Sequence, residues 1–155
     1  MGRRNVPILI LATLLLFPVT VRAADAETAH YVGTAACADC HPDQHAAFMK
    51  HSRKAHSSKN IRLMAKKLTP EELDKCFDCH ATGHGKPGGF TSFSATPAMA
   101  DAGCEVCHGP GSLHAASGDP AVIKGKPTLA ECQQCHNAAR VRAFGFKPLL
   151  QAGAH

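Results

Sequence analysis

Cysteine occurs eight times in this chain of 155 residues, always as a pair separated by two residues and always with histidine immediately after the pair. The four motifs are Cys37-Ala-Asp-Cys40-His41, Cys76-Phe-Asp-Cys79-His80, Cys104-Glu-Val-Cys107-His108 and Cys132-Gln-Gln-Cys135-His136. With 11 histidines in the chain, chance would place one after all four pairs with a probability on the order of 10⁻⁵, and Cys-x-x-Cys-His is the attachment signature of c-type haem. The spacing has a geometric reason. Residues three apart share one face of a helical turn, so two sulfurs reach the two vinyl groups of one porphyrin while the next imidazole meets the iron. The motifs therefore predict four covalently bound haem c groups. Cys37, Cys40, Cys76, Cys79, Cys104, Cys107, Cys132 and Cys135 are the expected thioether residues, and His41, His80, His108 and His136 the proximal iron ligands. Two alternatives, paired Cys₄ zinc sites or four short disulfides in a secreted chain, leave the constant histidine offset unexplained.

The cofactors also solve a folding problem. Aliphatic residues concentrate at the N-terminus, and the remainder, with 10 Pro and no Trp, has little from which to build a core unaided. Haem faces supply the missing apolar surface, so attachment is expected to precede folding. The expected fold class is mostly α with extensive loops, a small multihaem cytochrome c fold organised around stacked haems with little or no β. Thr69-Pro70-Glu71-Glu72 and Thr128-Leu129-Ala130-Glu131 read as capping boxes that start short helices ahead of the second and fourth motifs. The span Ala46 to Leu68 contains neither Gly nor Pro and reads as one long helix. Gly83, Gly85, Gly88 and Gly89 mark turns, as do Gly109, Pro110 and Gly111, and Phe90 to Thr96 reads as an extended loop or brief strand.

Residues 1–23 read as a signal peptide, with Arg3 and Arg4 as a basic start, an apolar stretch from Ile8 to Val21 and a small-residue cleavage site at Val21-Arg22-Ala23. That stretch is shorter than the about 20 residues needed to span a bilayer, so no integral membrane segment is expected after cleavage. Residues 24–155 form the expected tetrahaem domain, in the periplasm or outside the cell. The formal charge of +5 includes Arg3, Arg4 and Arg22, and without them 14 basic face 12 acidic residues. Each ferric haem with ionised propionates adds about −1, which brings the oxidised protein to about −2 and the reduced one to about −6. Apparent basicity is thus no argument for nucleic acid. Lys50, Arg53, Lys54, Lys59, Arg62, Lys66 and Lys67 form a basic run, read as a solvated face that neutralises propionates ahead of a docking patch for an acidic redox partner.

Three blocks carry a family resemblance: Cys37-Ala-Asp-Cys-His-Pro-Asp-Gln44 followed by Phe48, Cys79-His-Ala-Thr-Gly-His-Gly-Lys-Pro-Gly-Gly-Phe90, and Gly103-Cys-Glu-Val-Cys-His-Gly-Pro-Gly-Ser112. From Tyr31 to His114 the chain resembles the cytochrome c-552/c-554 family of multihaem electron carriers. Beyond His114 only the fourth motif matches. The resemblance implies His114 as distal ligand to the haem of His41. It also implies a ligand from the helix after the first motif to the haem of His108, for which His56 is preferred and His51 is the alternative. In the family the iron equivalent to that of His80 lacks a distal protein ligand, although His45 or His51 offers a replacement here and His84 is better suited to a propionate. For the haem of His136 the candidates are His155, His30 or a neighbouring subunit. Met49 and Met64 read as helix packing, so mainly bis-histidine irons of low potential are expected.

The leading functional reading is an exported electron-transfer carrier, its redox partners being donor and acceptor cytochromes or reductases. One alternative is reduction of a small nitrogen oxide, or a similar ligand, at an open haem iron. A second is a subunit of an extracellular haem filament. The oligomeric state is left open by the sequence.

Overall fold

Short helices start where the sequence supplies a cap or a proline. The computed structural model describes residues 28–137; residues 1–23, expected to be a signal peptide, and the candidate ligand His155 lie outside them. Helix α1, Pro42–His51, opens on proline, and α2 covers Ser58–Met64. Helix α3, Pro70–His80, carries both halves of the Thr69/Glu72 capping box. The remaining helices are α4, Cys104–His108, α5, Ser112–Ser117, and α6, Leu129–Gln133. The Thr128/Glu131 capping box opens α6 as expected. Short 3₁₀ turns and loops join the helices, and the described residues contain no strand. The fold is mostly α, as anticipated.

The long helix expected from Ala46 to Leu68 is instead broken into α1, a 3₁₀ turn at Arg53–His56, α2 and a second 3₁₀ turn at Ala65–Lys67. Ser52 makes the first break. Its backbone is extended, at φ −86° and ψ 124°, and its hydroxyl accepts from the Lys54 N–H, offering the chain a local alternative to helical bonding. The break also frees serines for tertiary contacts. The Ser57 hydroxyl donates to the His80 carbonyl and accepts from the Ala102 N–H, both at 2.8 Å, while the Ser58 N–H donates to an Asp101 carboxylate oxygen at 2.8 Å. Met49 and Met64 correspondingly do not pack inside, being 37% and 46% exposed. Phe48 is the residue that α1 buries.

Helix α3 separates the protein core from the cofactor side. At 100° per residue, Cys76, Cys79 and His80 share one face, Leu73, Phe77 and Ala81 the next, and Asp74 and Asp78 a third. The second face packs into a cluster with Ile61, Phe90, Met99 and Ala100. Phe90 is fully buried, and its ring lies 4.6 Å from that of Phe77 and 5.3 Å from that of Phe93, within the range of favourable aromatic pairs. The segment after it is neither extended nor a strand. The Thr96 N–H bonds the Ser92 carbonyl at 3.0 Å, and the Thr96 hydroxyl accepts from the Thr91 N–H at 2.8 Å, closing a turn.

Thr82 joins the exit of the second motif to the entrance of the third. Buried to 2% exposure, its hydroxyl donates to the Asp101 carbonyl at 2.7 Å and accepts from the Gly103 N–H at 2.9 Å. Its backbone bonds both Met99 and Phe90. Gly103 must be glycine there, since a Cβ would collide with the Thr34 hydroxyl and crowd that of Thr82.

Candidate haem sites

The second, third and fourth motifs open onto one cavity of about 1180 Å³. Its wall contains Cys76, Cys79, His80, Cys104, Cys107, His108, Cys132, Cys135 and His136. That volume exceeds the about 300–1,000 Å³ of ordinary ligand pockets. Helices α3, α4 and α6 each present their motif to this space, which is why the motif residues leave the small protein core to Phe77, Phe90 and their neighbours. The eight cysteines form no disulfide with one another.

Cysteines of different motifs lie side by side. Cys37 meets Cys104, and the hydrogen bond between their thiols raises Cys37 while lowering Cys104 to about 7. Burial, with Cys79 alongside, pushes Cys135 up to about 12, and its thiol faces the Asp78 carbonyl at 4.0 Å. The first motif thus adjoins the third, and the second adjoins the fourth.

His41 and His114 face one another with ring centres 6.1 Å apart and planes 16° from parallel. Two metal–imidazole bonds of about 2 Å, with about 1.1 Å from each nitrogen to its ring centre, amount to about 6 Å. The pair therefore has the separation that one iron held between two imidazoles requires. His114 Nδ1 lies 2.9 Å from the Asp119 carbonyl. With Nδ1–H donating there, the Nε2 lone pair is free for a metal. His108 has the same arrangement, its Nδ1 being 2.6 Å from the Lys124 carbonyl. One short segment, Asp119 to Lys124, thus holds the imidazoles of both His114 and His108. Lys124 is itself held by the Glu131 carboxylate of the α6 capping box. That contact, together with the Thr128 hydroxyl and N–H, holds Glu131 down to about 2.

The other histidines differ. His80 Nδ1 is buried without a hydrogen-bond partner. His136 is held below its ordinary value by burial and then by the Lys54 cation, which favours the neutral, ligating imidazole. His56 lines the cavity, and its Nε2 lies 3.3 Å from the Met49 carbonyl; His45 and His51 are absent from that wall. His84 is not among the residues of the cavity wall. Its two nitrogens face Asp74 at 3.1 Å and Asp78 at 3.2 Å, because the third face of α3 holds both carboxylates one turn apart. His30 exchanges backbone and hydroxyl bonds with Ser112. Asp119, Lys124 and Glu105 were missed by sequence reasoning. The first two act through backbone carbonyls, which leave no mark in the sequence, whereas a glutamate inside a haem motif was a visible signal.

Cys-x-x-Cys-His motifs carried on short helices around one cavity, with a small α-helical fold, define a c-type cytochrome. The family model for cytochrome c554 and c-prime matches residues 36–109. Cytochrome c-554 of Nitrosomonas europaea is 35% identical over 132 residues, covering 76% of this chain and 56% of that relative. The chain is thus c-554-like, a resemblance that implies covalently bound haem c. No solved structure matches it.

Proposed function

We propose that this chain is an exported tetrahaem electron carrier working between redox proteins of the periplasm or cell exterior. The observation that carries this reading is the convergence of three motifs on one cavity, with the first joined through Cys37 and Cys104. Bound haem c supplies a one-electron iron couple whose potential follows its axial ligands and surroundings. The chain's own part is to hold and orient four such groups within contact of one another. Each cysteine pair anchors one group, and His41, His80, His108 and His136 are its proximal ligands. His114 completes the first site. His56 serves the site of His108, a reading supported by its place in the shared cavity wall. Arg53 and Lys54, also in that wall, are suited to neutralise propionates. Residues 1–23 act as the export signal, and among the described residues no helix is long and apolar enough to cross a membrane.

One observation favours a second reading, small-molecule reduction at an open iron. Among the described residues of the cavity wall, His56 is the histidine outside a motif, while three motif histidines share that wall. It can complete one iron of the three, and with His56 on the iron of His108 the irons of His80 and His136 have no second imidazole from the described residues of that wall.

Intact mass and rapid mixing decide between these readings. The carrier reading expects a chain starting near Ala24 with four added haem masses, and reduced protein that passes electrons to a second cytochrome. Carbon monoxide binding at one iron is compatible with it, whereas sustained turnover of nitric oxide with a chemical reductant is not. Fewer than four haem masses overturn the tetrahaem reading itself.

A further inference from the structure

Glu105 lies inside the third motif, between Cys104 and Cys107, yet it points away from the cavity and is 2% exposed. One carboxylate oxygen accepts from the Gly111 N–H at 2.7 Å and the Val32 N–H at 3.0 Å. The other accepts from the Gly33 N–H at 2.7 Å and, more distantly, from Val32 at 3.2 Å. Both oxygens are thus committed to backbone donors, as a buried carboxylate requires. Those donors are not randomly placed. Gly33 caps the 3₁₀ turn Thr34–Cys37, from which the chain runs directly into His41 through the Cys37 carbonyl bond to the His41 N–H, 2.9 Å. Gly111 caps α5, three residues ahead of His114.

We infer that Glu105 is the positioning residue for the facing imidazoles His41 and His114, setting from within the third motif the gap that admits the first iron. The inference rests on reading those two histidines as ligands of one haem. The carboxylate binds the segments leading to both imidazoles at once, so the distance between them depends on it. Glutamine cannot replace it. Its NH₂ group would face a backbone N–H on one side, donor against donor, and either the Gly33 or the Gly111 arm would be released. Aspartate keeps the charge but falls one methylene short of the three amides. A Cβ at Gly111 would press on this arrangement, standing 3.2 Å from the Glu105 carboxylate. The oxygen, the glycine and the imidazole therefore form one fitted unit.

The test uses the complete haem-loaded protein. In Glu105→Gln, one low-spin ferric signal should broaden or turn high-spin, and the reduced protein should bind up to about one more equivalent of carbon monoxide than wild type. The haem count should remain that of wild type. His114→Ala is the independent reference and should add about one equivalent of carbon monoxide by itself. Ser112→Ala, which removes only the His30 contact, should leave the low-spin signals unchanged. No gain in His114→Ala means the ligand assignment is wrong, whatever Glu105 does. A gain there with an unchanged Glu105→Gln spectrum overturns the positioning role. Should the glutamine variant fail to accumulate, Glu105→Asp is read by the same two signals: the same changes support the role, and wild-type signals refute it.

Discussion

Thr82→Val is the sharpest test of how the second and third motifs are joined, because it keeps the shape of a buried residue and deletes only its hydroxyl. In the native chain that hydroxyl satisfies both the Asp101 carbonyl and the Gly103 N–H. Valine leaves both groups unpaired in the interior, at about 1–2 kcal/mol each, so a loss of about 2–4 kcal/mol is expected. Thr82→Ser keeps both bonds and removes one buried methyl group, worth about 1 kcal/mol. The more apolar variant should therefore be the less stable. With a urea slope of about 2 kcal/mol/M, the valine midpoint should fall by about 1–2 M and the serine midpoint by about 0.5 M, without a change in slope. Far-UV circular dichroism and Soret absorbance on the haem-loaded protein provide the two probes. A valine variant that unfolds at or above the serine midpoint would refute the reasoning, since the hydroxyl would then contribute less than the methyl group.

Two further outcomes follow from the sites. His114→Met should move one low-spin haem to a higher potential, because a thioether favours the ferrous state relative to imidazole; an unchanged spectroelectrochemical titration removes His114 from the first iron. Glu131 is depressed from its ordinary 4.5 to about 2 by Lys124 and Thr128, so its contribution to stability is complete above pH 4.5 and disappears as pH falls towards 2. Wild type and Glu131→Gln should accordingly differ in urea midpoint at pH 6, with the difference shrinking below pH 4.5 and closing only as pH reaches about 2, whereas a difference independent of pH would mean the carboxylate charge plays no part.

How far each feature could be read in advance depended on the range of the interaction behind it. Both capping boxes were legible because Thr69 with Glu72, and Thr128 with Glu131, are three residues apart and meet wherever a helix begins. The haem motifs were legible for the same reason, since their spacing is set by one helical turn and one porphyrin. The helix expected from Ala46 to Leu68 failed at Ser52, where absence of Gly and Pro was weighed more heavily than serine's own bonds to the backbone. The pairing of His84 with Asp74 and Asp78 was not legible, because those carboxylates come together on one face only once α3 has formed.

By itself, then, the chain's order of residues determined the cysteine–histidine motifs, the capped starts of α3 and α6 and the likeness to the c-554 family, the first two being consequences of covalent spacing and contacts within a turn. Only the tertiary structure decided that three motifs share a cavity and what separation His41 and His114, already paired by the family resemblance, adopt. It alone also decided that the Asp119 and Lys124 carbonyls orient two imidazoles and that Glu105 clamps segments 72 and 6 residues away. Those pairings join backbone groups distant along the chain, and a backbone donor or acceptor is the same at nearly every residue until folding gives it a neighbour.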